Sequence, residues 1–428
     1  LEAARLAADL GLELIVTDHH SPRETIPQAA AVVHPTVGGQ YPNPHLCGAG
    51  VAFKLAWEIA RRLSGSDKVT PQFREVLLEA LPLAALGTIA DVVSLTGENR
   101  IIARHGLARL ADTTHVGLSA LIESAGLTGK AIGGYEVGFR LAPRINAAGR
   151  MGHARLAVEL LTRADADRAR EIALYLEEHN KARQAKERKI VREACEMVEQ
   201  GNLDADSRRA IVLASEGWHA GVIGIVAARL VDRYRRPTVL IALKNGLGQG
   251  SARSVAHFKM DQALSACSEH LVDFGGHAMA AGLKIESNKI DAFAAAFVDR
   301  ANNLLTAADL KHKLHLEAEV ALTALDLTTT EAIVNLGPFG AGNPKPLLAT
   351  GWVELAGEPR CVGKSGEHLQ VSLREGGAVL KGIAFGKATV AQDLMEHRRC
   401  RVAFEPIIND YRGRRSPELR ILDFQFPG

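Results

Sequence analysis

The chain has 428 residues, 47% of them hydrophobic and 23% charged, and a formal net charge of +2. This is the composition of a globular protein of about two to four domains, each able to bury its own core. It excludes a disordered or collagen-like chain, and no run reaches the ~18 apolar residues of a membrane span. The opening segment, with Glu2, Arg5 and Asp9, is amphipathic and does not read as a signal peptide. The five cysteines lie far apart without a Cys-x-x-Cys pair. That argues against a disulfide framework or a structural zinc site and suits a reducing cytoplasm. With so small a net charge, any nucleic-acid site must concentrate its positive charge locally. The first residue is Leu1, and Leu1, Leu6 and Leu10 share a helical face that Gly11 ends. A preceding segment is therefore expected.

From residue 1 to about 150, short β-rich runs alternate with helical patterns, which predicts a largely parallel α/β sheet. Leu14-Ile15-Val16 and Ala31-Val32-Val33 are strand candidates, and helices are expected at Gly48–Leu63, Pro71–Ala90 and Asn99–Leu110. Ala154 to Gln200 contains neither Pro nor Gly and reads as one long helix, broken near Arg163-Ala164-Asp165. A second α/β unit follows, with strands at Ala210–Leu213 and Thr238–Leu243 around a helix at Gly221–Tyr234. Gly246–Gly250 reads as a glycine-rich turn, Met260–Phe274 as a helix running into Gly275-Gly276-His277, and Ile290–Leu305 as a further helix. From Lys311 onward, strand-like alternation in Leu314–Val320, Trp352–Leu355, Leu369–Leu373, Val379–Phe385, Cys400–Phe404 and Leu419–Phe426 suggests a small β-barrel.

Asp18-His19-His20 directly follows a buried strand candidate, at the end of a parallel strand where ligands bind. A carboxylate and imidazoles there can hold a divalent ion and lower the pKa of its bound water. The plainer reading is an Asx turn. Asp91 lies in the apolar run Gly87–Val93, where an acid is costly unless it is paired or bound to a metal; alone, it can also simply cap a turn. With Asp18 and His19 it completes an oxygen and nitrogen set suited to manganese or magnesium, and the imidazole favours manganese.

Arg140–Arg150 reads as a Pro- and Gly-punctuated loop whose Arg144, Asn146 and Arg150 suit phosphate, unless it is merely a solvated basic loop. Ser251 and Arg253 follow the glycine turn, where backbone can approach a phosphate. His277 follows a glycine pair that has a purely structural reading as well. Trp218-His219 opens the Gly221 helix, at an N-terminus able to meet an anion, although packing is the commoner role of such a Trp.

Taken in order, Val16–His20, Gly48–Leu55, Gly87–Val93, Arg140–Met151, Gly217–Leu230, Gly250–Val255 and Phe274–Gly282 resemble the DHH phosphoesterase superfamily and, within it, the RecJ family. The resemblance covers most of residues 10–290. It implies a DHH domain over 1–153 lacking its N-terminal part, a connecting helix over 154–203, a DHH-associated substrate-binding domain over 204–306 and an OB-fold over 311–428. The implied activity is metal-dependent 5′-to-3′ hydrolysis of single-stranded DNA to mononucleotides in repair and recombination, at a site in the cleft between the two α/β domains.

Carried over by position, Asp18, His19 and Asp91 would be ligands of Mn2+ or Mg2+ in a two-metal site. His20 would support that site or contact the scissile phosphate. Arg144, Asn146 and Arg150 would contact substrate, Ser251 and Arg253 would hold the 5′-phosphate, and His277 would meet substrate or the reacting phosphate. The barrel would track the strand through candidates such as Phe339, Trp352 and Tyr411 beside Arg398–Arg401 and Arg412–Arg415. Implied partners are single-stranded DNA with a 5′ end and a single-stranded-DNA-binding protein or a helicase, with no membrane.

The sequence departs from the family pattern at His34 for Asn, Ser94 for Pro and Ala220 for Pro. It also lacks the aspartate motifs that precede the DHH segment, and little nuclease activity is expected of the chain for that reason. The alternatives are an oligonucleotide or cyclic-dinucleotide phosphodiesterase of the same superfamily, and a non-catalytic DNA-binding scaffold.

Overall fold

A computed structural model describes the chain except Arg23, Glu24, Gln40, Met151, Gly152, His312, Gly428 and the side chain of Arg150. In chain order, the first portion runs α1 (Glu2–Asp9), β1 (Ile15–Thr17), β2 (Ala31–Val33), α2 (Gly48–Leu63), α3 (Pro71–Ala90), α4 (Gly97–Leu110) and α5 (Val116–Ser124). Next come α6 (Gly134–Glu136), a π-helical turn over Val137–Leu141, α7 (Ala142–Arg150), α8 (Ala154–Thr162) and α9 (Ala166–Gln200). The following portion holds β3 (Ile211–Ser215), α10 (Ala220–Tyr234), β4 (Thr238–Lys244), β5 (Leu247–Arg253), α11 (Met260–Ala266), β6 (Asp273–His277), β7 (Ala280–Glu286) and α12 (Ile290–Leu304). The C-terminal portion contains β8 (Ala318–Glu319), α13 (Leu327–Val334), β9 (Leu348–Ala349), β10 (Val353–Leu355), β11 (Arg360–Val362), β12 (His368–Glu375), β13 (Ala378–Ala384), α14 (Ala391–His397), β14 (Arg399–Tyr411) and β15 (Arg414–Gln425).

These elements form two compact units, one of Leu1–His115, Leu127–Arg140 and Leu314–Gly428, the other of Val116–Gly126 and Leu141–Lys313. In the first unit, β1 and β2 pair in parallel, with Ile15, Val16 and Thr17 opposite Ala31, Val32 and Val33. Helices α2, α3 and α4 pack on one another around Val51, Phe53, Leu77, Leu81, Ala85 and Ile102. Their closest approach is fixed by missing side chains. A Cβ on Gly87 of α3 would lie 2.4 Å from the Ala49 methyl of α2, so only glycine allows this spacing.

The C-terminal strands follow the order β10-β12-β13-β15-β14, and β10 also pairs with β14. The sheet therefore closes on itself as a barrel, which removes free edges. Its core includes Val353, Leu369, Val371, Leu373, Val402, Phe404, Leu419 and Ile421, the inward positions of alternating strands. β14 and β15 extend well beyond the predicted runs because they form one long hairpin. Arg412 and Gly413 turn it at φ 54° and 74°, the left-handed conformation of a tight two-residue loop.

The second unit is built on the sheet β3-β4-β5-β7-β6, in which only β3 and β4 are parallel. Helix α12 buries Phe293 and Phe297 on one face, while α9 and α10 cover the other with Ile190, Val198, Val222 and Leu230. The break between α8 and α9 falls at Arg163–Asp165, where Asp165 caps α9 by accepting from Arg168 N.

Three local expectations are corrected. Arg140–Arg150 is helical rather than a loop: the helix runs unbroken from Gly134 through the π-helical turn Val137–Leu141 into α7, and that widened turn, just before Pro143, accommodates the proline ring and its missing N–H. Gly246–Gly250 is mostly strand: the turn is Asn245-Gly246, and Gly248 and Gly250 lie under Ile241 and Leu283, leaving no room for a Cβ. The Met260 helix ends at Ala266, and the Gly275-Gly276-His277 segment is an edge strand paired with β7. No helix among the described residues is long and apolar enough to cross a membrane.

Candidate active site

Parallel pairing of β1 with β2 brings Asp18 and His34 side by side at the carboxyl ends of the two strands. Asp18 N donates to the Val33 carbonyl at 3.2 Å, extending the ladder by one bond. Beyond it the chain turns sharply, so that His19 N and His20 N both donate to Asp18 Oδ1, at 2.7 and 3.1 Å. His20 Nδ1 also lies 2.7 Å from Oδ1. The backbone N–H of His20 is the largest of the influences that pull the Asp18 carboxyl down to about 2, followed by its imidazole and by His19 N. The carboxylate is thus ionised throughout the neutral range. All three bonds fall on Oδ1, which leaves the lone pairs of Oδ2 to meet a cation.

His34 was not foreseen as part of the site. Its Nδ1 accepts from Thr36 N at 3.1 Å, so the neutral ring carries its proton on Nε2 and donates to the His20 carbonyl at 2.8 Å. It thereby ties the Asp-His-His turn to the end of β2. The available signal was positional, since His34 follows β2 as Asp18 follows β1.

Asp91 is the C-cap of α3, and Val92 after it takes φ 58°. A left-handed conformation costs a β-branched residue about 1–2 kcal/mol and turns the chain away immediately after the acid. The close packing at Gly87 brings this helix end to the DHH turn. Asp91 Oδ2 then faces His19 Nδ1 at 3.6 Å, too long for a hydrogen bond. The His19 side chain is 19% exposed and lies over Gly48 at the start of α2. Among the described residues no group hydrogen-bonds its ring nitrogens. No three described His, Cys, Asp or Glu side chains form a ready-made metal cage.

In the second unit, Arg253 Nη1 donates to Ser251 Oγ at 3.1 Å and to the Ala252 carbonyl at 2.8 Å. Both side chains cross α10 at Gly224, where a Cβ would lie 2.8 Å from Ser251 Oγ and 2.9 Å from Arg253 Nη2. Sequence inspection missed Gly224 because its role depends on a strand distant in the chain. His219 caps α10, its Nδ1 accepting from Gly221 N at 3.1 Å, and Trp218 is buried with Nε1 donating to Glu193.

Arg144 is buried and ion-paired with Glu177 at 2.7 Å, whereas Asn146 is exposed. The side chain of Arg150 lies outside the described residues. His277 is exposed at the end of β6. On the barrel, Phe339 is half-buried, while Trp352 and Tyr411 are open and carry Arg399 and Arg412 over their rings at 5.6 and 5.2 Å. Arg401 and Arg415 are ion-paired, with Glu319 and Glu331.

Known proteins resemble this chain in sequence and fold. Residues 1–88 match the DHH family, N-terminal domain, residues 207–303 the DHHA1 domain and residues 316–423 the RecJ OB domain. The single-stranded-DNA-specific exonuclease RecJ of Bacillus subtilis is 38% identical over 424 residues, 98% of this chain and 52% of that protein. Its counterpart from Haemophilus influenzae is 35% identical, over 96% of this chain and 73% of that protein. The crystal structure of Thermus thermophilus RecJ with Mn2+ superposes with a TM-score of 0.84 at 34% identity, covering 100% of this chain and 60% of that one. The chain thus spans about half the length of the Bacillus relative. With its three matched domains and this identity over nearly all its length, the chain belongs to the RecJ family.

Proposed function

We propose that the protein is a metal-dependent exonuclease that hydrolyses single-stranded DNA from its 5′ end to mononucleotides. The observation that carries this reading is His19 Nδ1 facing Asp91 Oδ2 at 3.6 Å, with Asp18, the neighbour of His19 in the chain, held ionised by hydrogen bonds that all fall on Oδ1. The oxygen and nitrogen set fits Mn2+ or Mg2+, which the crystallised Thermus relatives are described as containing. Asp18, His19 and Asp91 would hold the ion, which when bound activates water and offsets charge on the leaving oxygen.

The remaining work falls to the chain's own groups. Asp18 keeps its proton off, because three hydrogen bonds stabilise the anion. Through Oδ1 it accepts from His20 Nδ1–H and fixes that ring with Nε2 toward solvent, where Nε2, once protonated, can donate to a scissile phosphate oxygen. Ser251 and Arg253 present a hydroxyl and a guanidinium to the terminal phosphate, which sets the register of cutting from that end. Asn146, Arg150 and His277 complete the substrate contacts, and Arg144 acts from its pairing with Glu177. The reading divides the chain at 1–153, 154–203, 204–306 and 311–428.

A second reading, a non-catalytic single-stranded-DNA-binding scaffold, draws on the lack of a ready-made three-ligand cage among the described residues. One experiment separates the readings: incubation with 5′-phosphorylated DNA of two to forty nucleotides in manganese. Mononucleotide release that strengthens with length supports the exonuclease. Cleavage confined to dinucleotides points to a short-oligonucleotide phosphodiesterase, and tight binding without hydrolysis to the scaffold.

A further inference from the structure

The sequence places two aromatic residues four apart in Gly133-Gly134-Tyr135-Glu136-Val137-Gly138-Phe139. The backbone there enters the π-helical turn Val137–Leu141, an uncommon geometry that recurs at functional sites. The Tyr135 and Phe139 rings stack with centroids 4.8 Å apart and planes at 29°. Both stay open to water, at 65% and 69% exposure. Burial is the usual fate of such rings, because it removes apolar surface from water. Here each ring covers one face of the other and leaves an outer face open.

Tyr135 also lines a cavity of about 730 Å3, whose other walls come from α4 and the C-terminal barrel of the same compact unit. That volume suits a nucleotide-sized ligand. Phe339 adds a second ring, and Arg104, Lys345 and Arg420 bring three cations to the walls. One carboxylate, Glu405, pairs with Lys345 at 3.3 Å and Arg420 at 3.4 Å, so positive charge is left in excess. The Arg420 guanidinium also lies 5.9 Å from the ring of Phe385, which is exposed and packs edge-on against His368. Aromatic rings and cations therefore alternate from the barrel surface into the cavity.

We infer that this cavity is a stacking subsite for a base of single-stranded DNA, with Tyr135 supplying the ring face and Arg104, Lys345 and Arg420 meeting the flanking phosphates. Ring stacking beside cations is the chemistry by which single strands are held without regard to sequence. A peptide anchor would need a closed pocket that desolvates its side chain, whereas the Tyr135–Phe139 pair presents open faces. The inference rests on the proposed single-stranded DNA substrate and adds a contact distant in the chain from the Asp-His-His turn.

The test uses the full chain, EDTA to prevent cutting, and oligothymidylates carrying one 2-aminopurine at successive positions. Stacking on a ring quenches 2-aminopurine fluorescence. Quenching should peak at one register, and Tyr135→Ala should abolish that peak and weaken binding about 5- to 100-fold. Tyr135→Phe keeps the ring and should retain the peak. A quenching profile identical in Tyr135→Ala, with its melting temperature unchanged, would overturn the subsite. So would an acidic peptide whose binding depends on Tyr135 while that of DNA does not. Hydrolysis without a register sinks the subsite alone; a register without hydrolysis in manganese sinks the nuclease reading and leaves the subsite in place.

Discussion

Gly87 and Ala49 meet so closely that a methyl group on the glycine would stand 2.4 Å from the alanine methyl, and this contact sets where α3 delivers Asp91. Neither atom belongs to a flexible side chain, so Gly87→Ala must push two helices apart. Overpacking of this kind costs about 1–3 kcal/mol. Thermal melting should show the loss, and manganese affinity should fall because Asp91 moves off His19. Adding Ala49→Gly returns the space, and recovery of both properties in the double variant would show that the contact itself is responsible.

Gly224 holds a different kind of contact. Its neighbours are the Ser251 hydroxyl and the tip of Arg253, which can shift. Gly224→Ala should therefore change stability by less than about 1 kcal/mol, since Ala favours the helix. It should also reduce the preference for a 5′-phosphate over a 5′-hydroxyl about 10- to 100-fold, the value of a hydrogen bond to a charged group. Comparing the two substrates with each protein checks this; an unchanged preference would remove Arg253 from end recognition.

Glu98 receives hydrogen bonds from the Lys54 ammonium at 2.9 Å and the Tyr41 hydroxyl at 2.7 Å. Burial alone would raise its pKa, but these partners outweigh burial and hold it below the ordinary carboxylate value. The folded pKa is the lower one, so the contribution is present above the unfolded value and is lost as pH falls through the folded one. Melting followed from pH 7 to pH 3 should show an acid-labile component that Glu98→Gln lacks. Identical acid limbs in the two proteins would refute this account of Glu98.

The second unit contains the buried pair Arg183–Glu187 at 2.8 Å, with Arg229 reaching the other oxygen of Glu187 at 2.5 Å. Glu187→Ala leaves a guanidinium buried without its acid and should cost about 3–5 kcal/mol. Replacing Arg183 and Glu187 together by Met and Leu should cost much less, and denaturant titration distinguishes the two outcomes.

Of the five cysteines only Cys361 is exposed, and burial pushes the Cys400 thiol up to about 11. A thiol reagent at pH 8 should therefore modify one cysteine in the native protein and five after unfolding, countable by intact mass.

Long periodic segments were legible in the sequence. Helices Gly48–Leu63 and Pro71–Ala90 begin and end where the pattern places them, because Cys47 and Thr70 precede the first turns and the apolar positions repeat without interruption. The break at Arg163–Asp165 was visible through its capping acid. Glycine and proline misled elsewhere. Pro143 lies where a helix tolerates it, and Gly248 and Gly250 give up their side chains to Ile241 and Leu283 rather than to a turn. Of the site, the Asp18–His20 turn and Asp91 could be singled out by residue type and setting. His34, Gly87 and Gly224 could not, since each acts through a contact between segments that only the folded chain brings together.

On the proposed reading, Asp18, His19 and Asp91 together would hold the ion that drives hydrolysis. A Mn2+ titration followed by electron paramagnetic resonance on the protein and on Asp91→Asn, with release of 5′-labelled mononucleotide recorded in the same samples, tests this. The parent protein should bind manganese saturably and release mononucleotide only weakly, and Asp91→Asn should lose both while its melting temperature stays within a few degrees. Manganese bound equally by both proteins, or hydrolysis that survives the substitution, would contradict that reading.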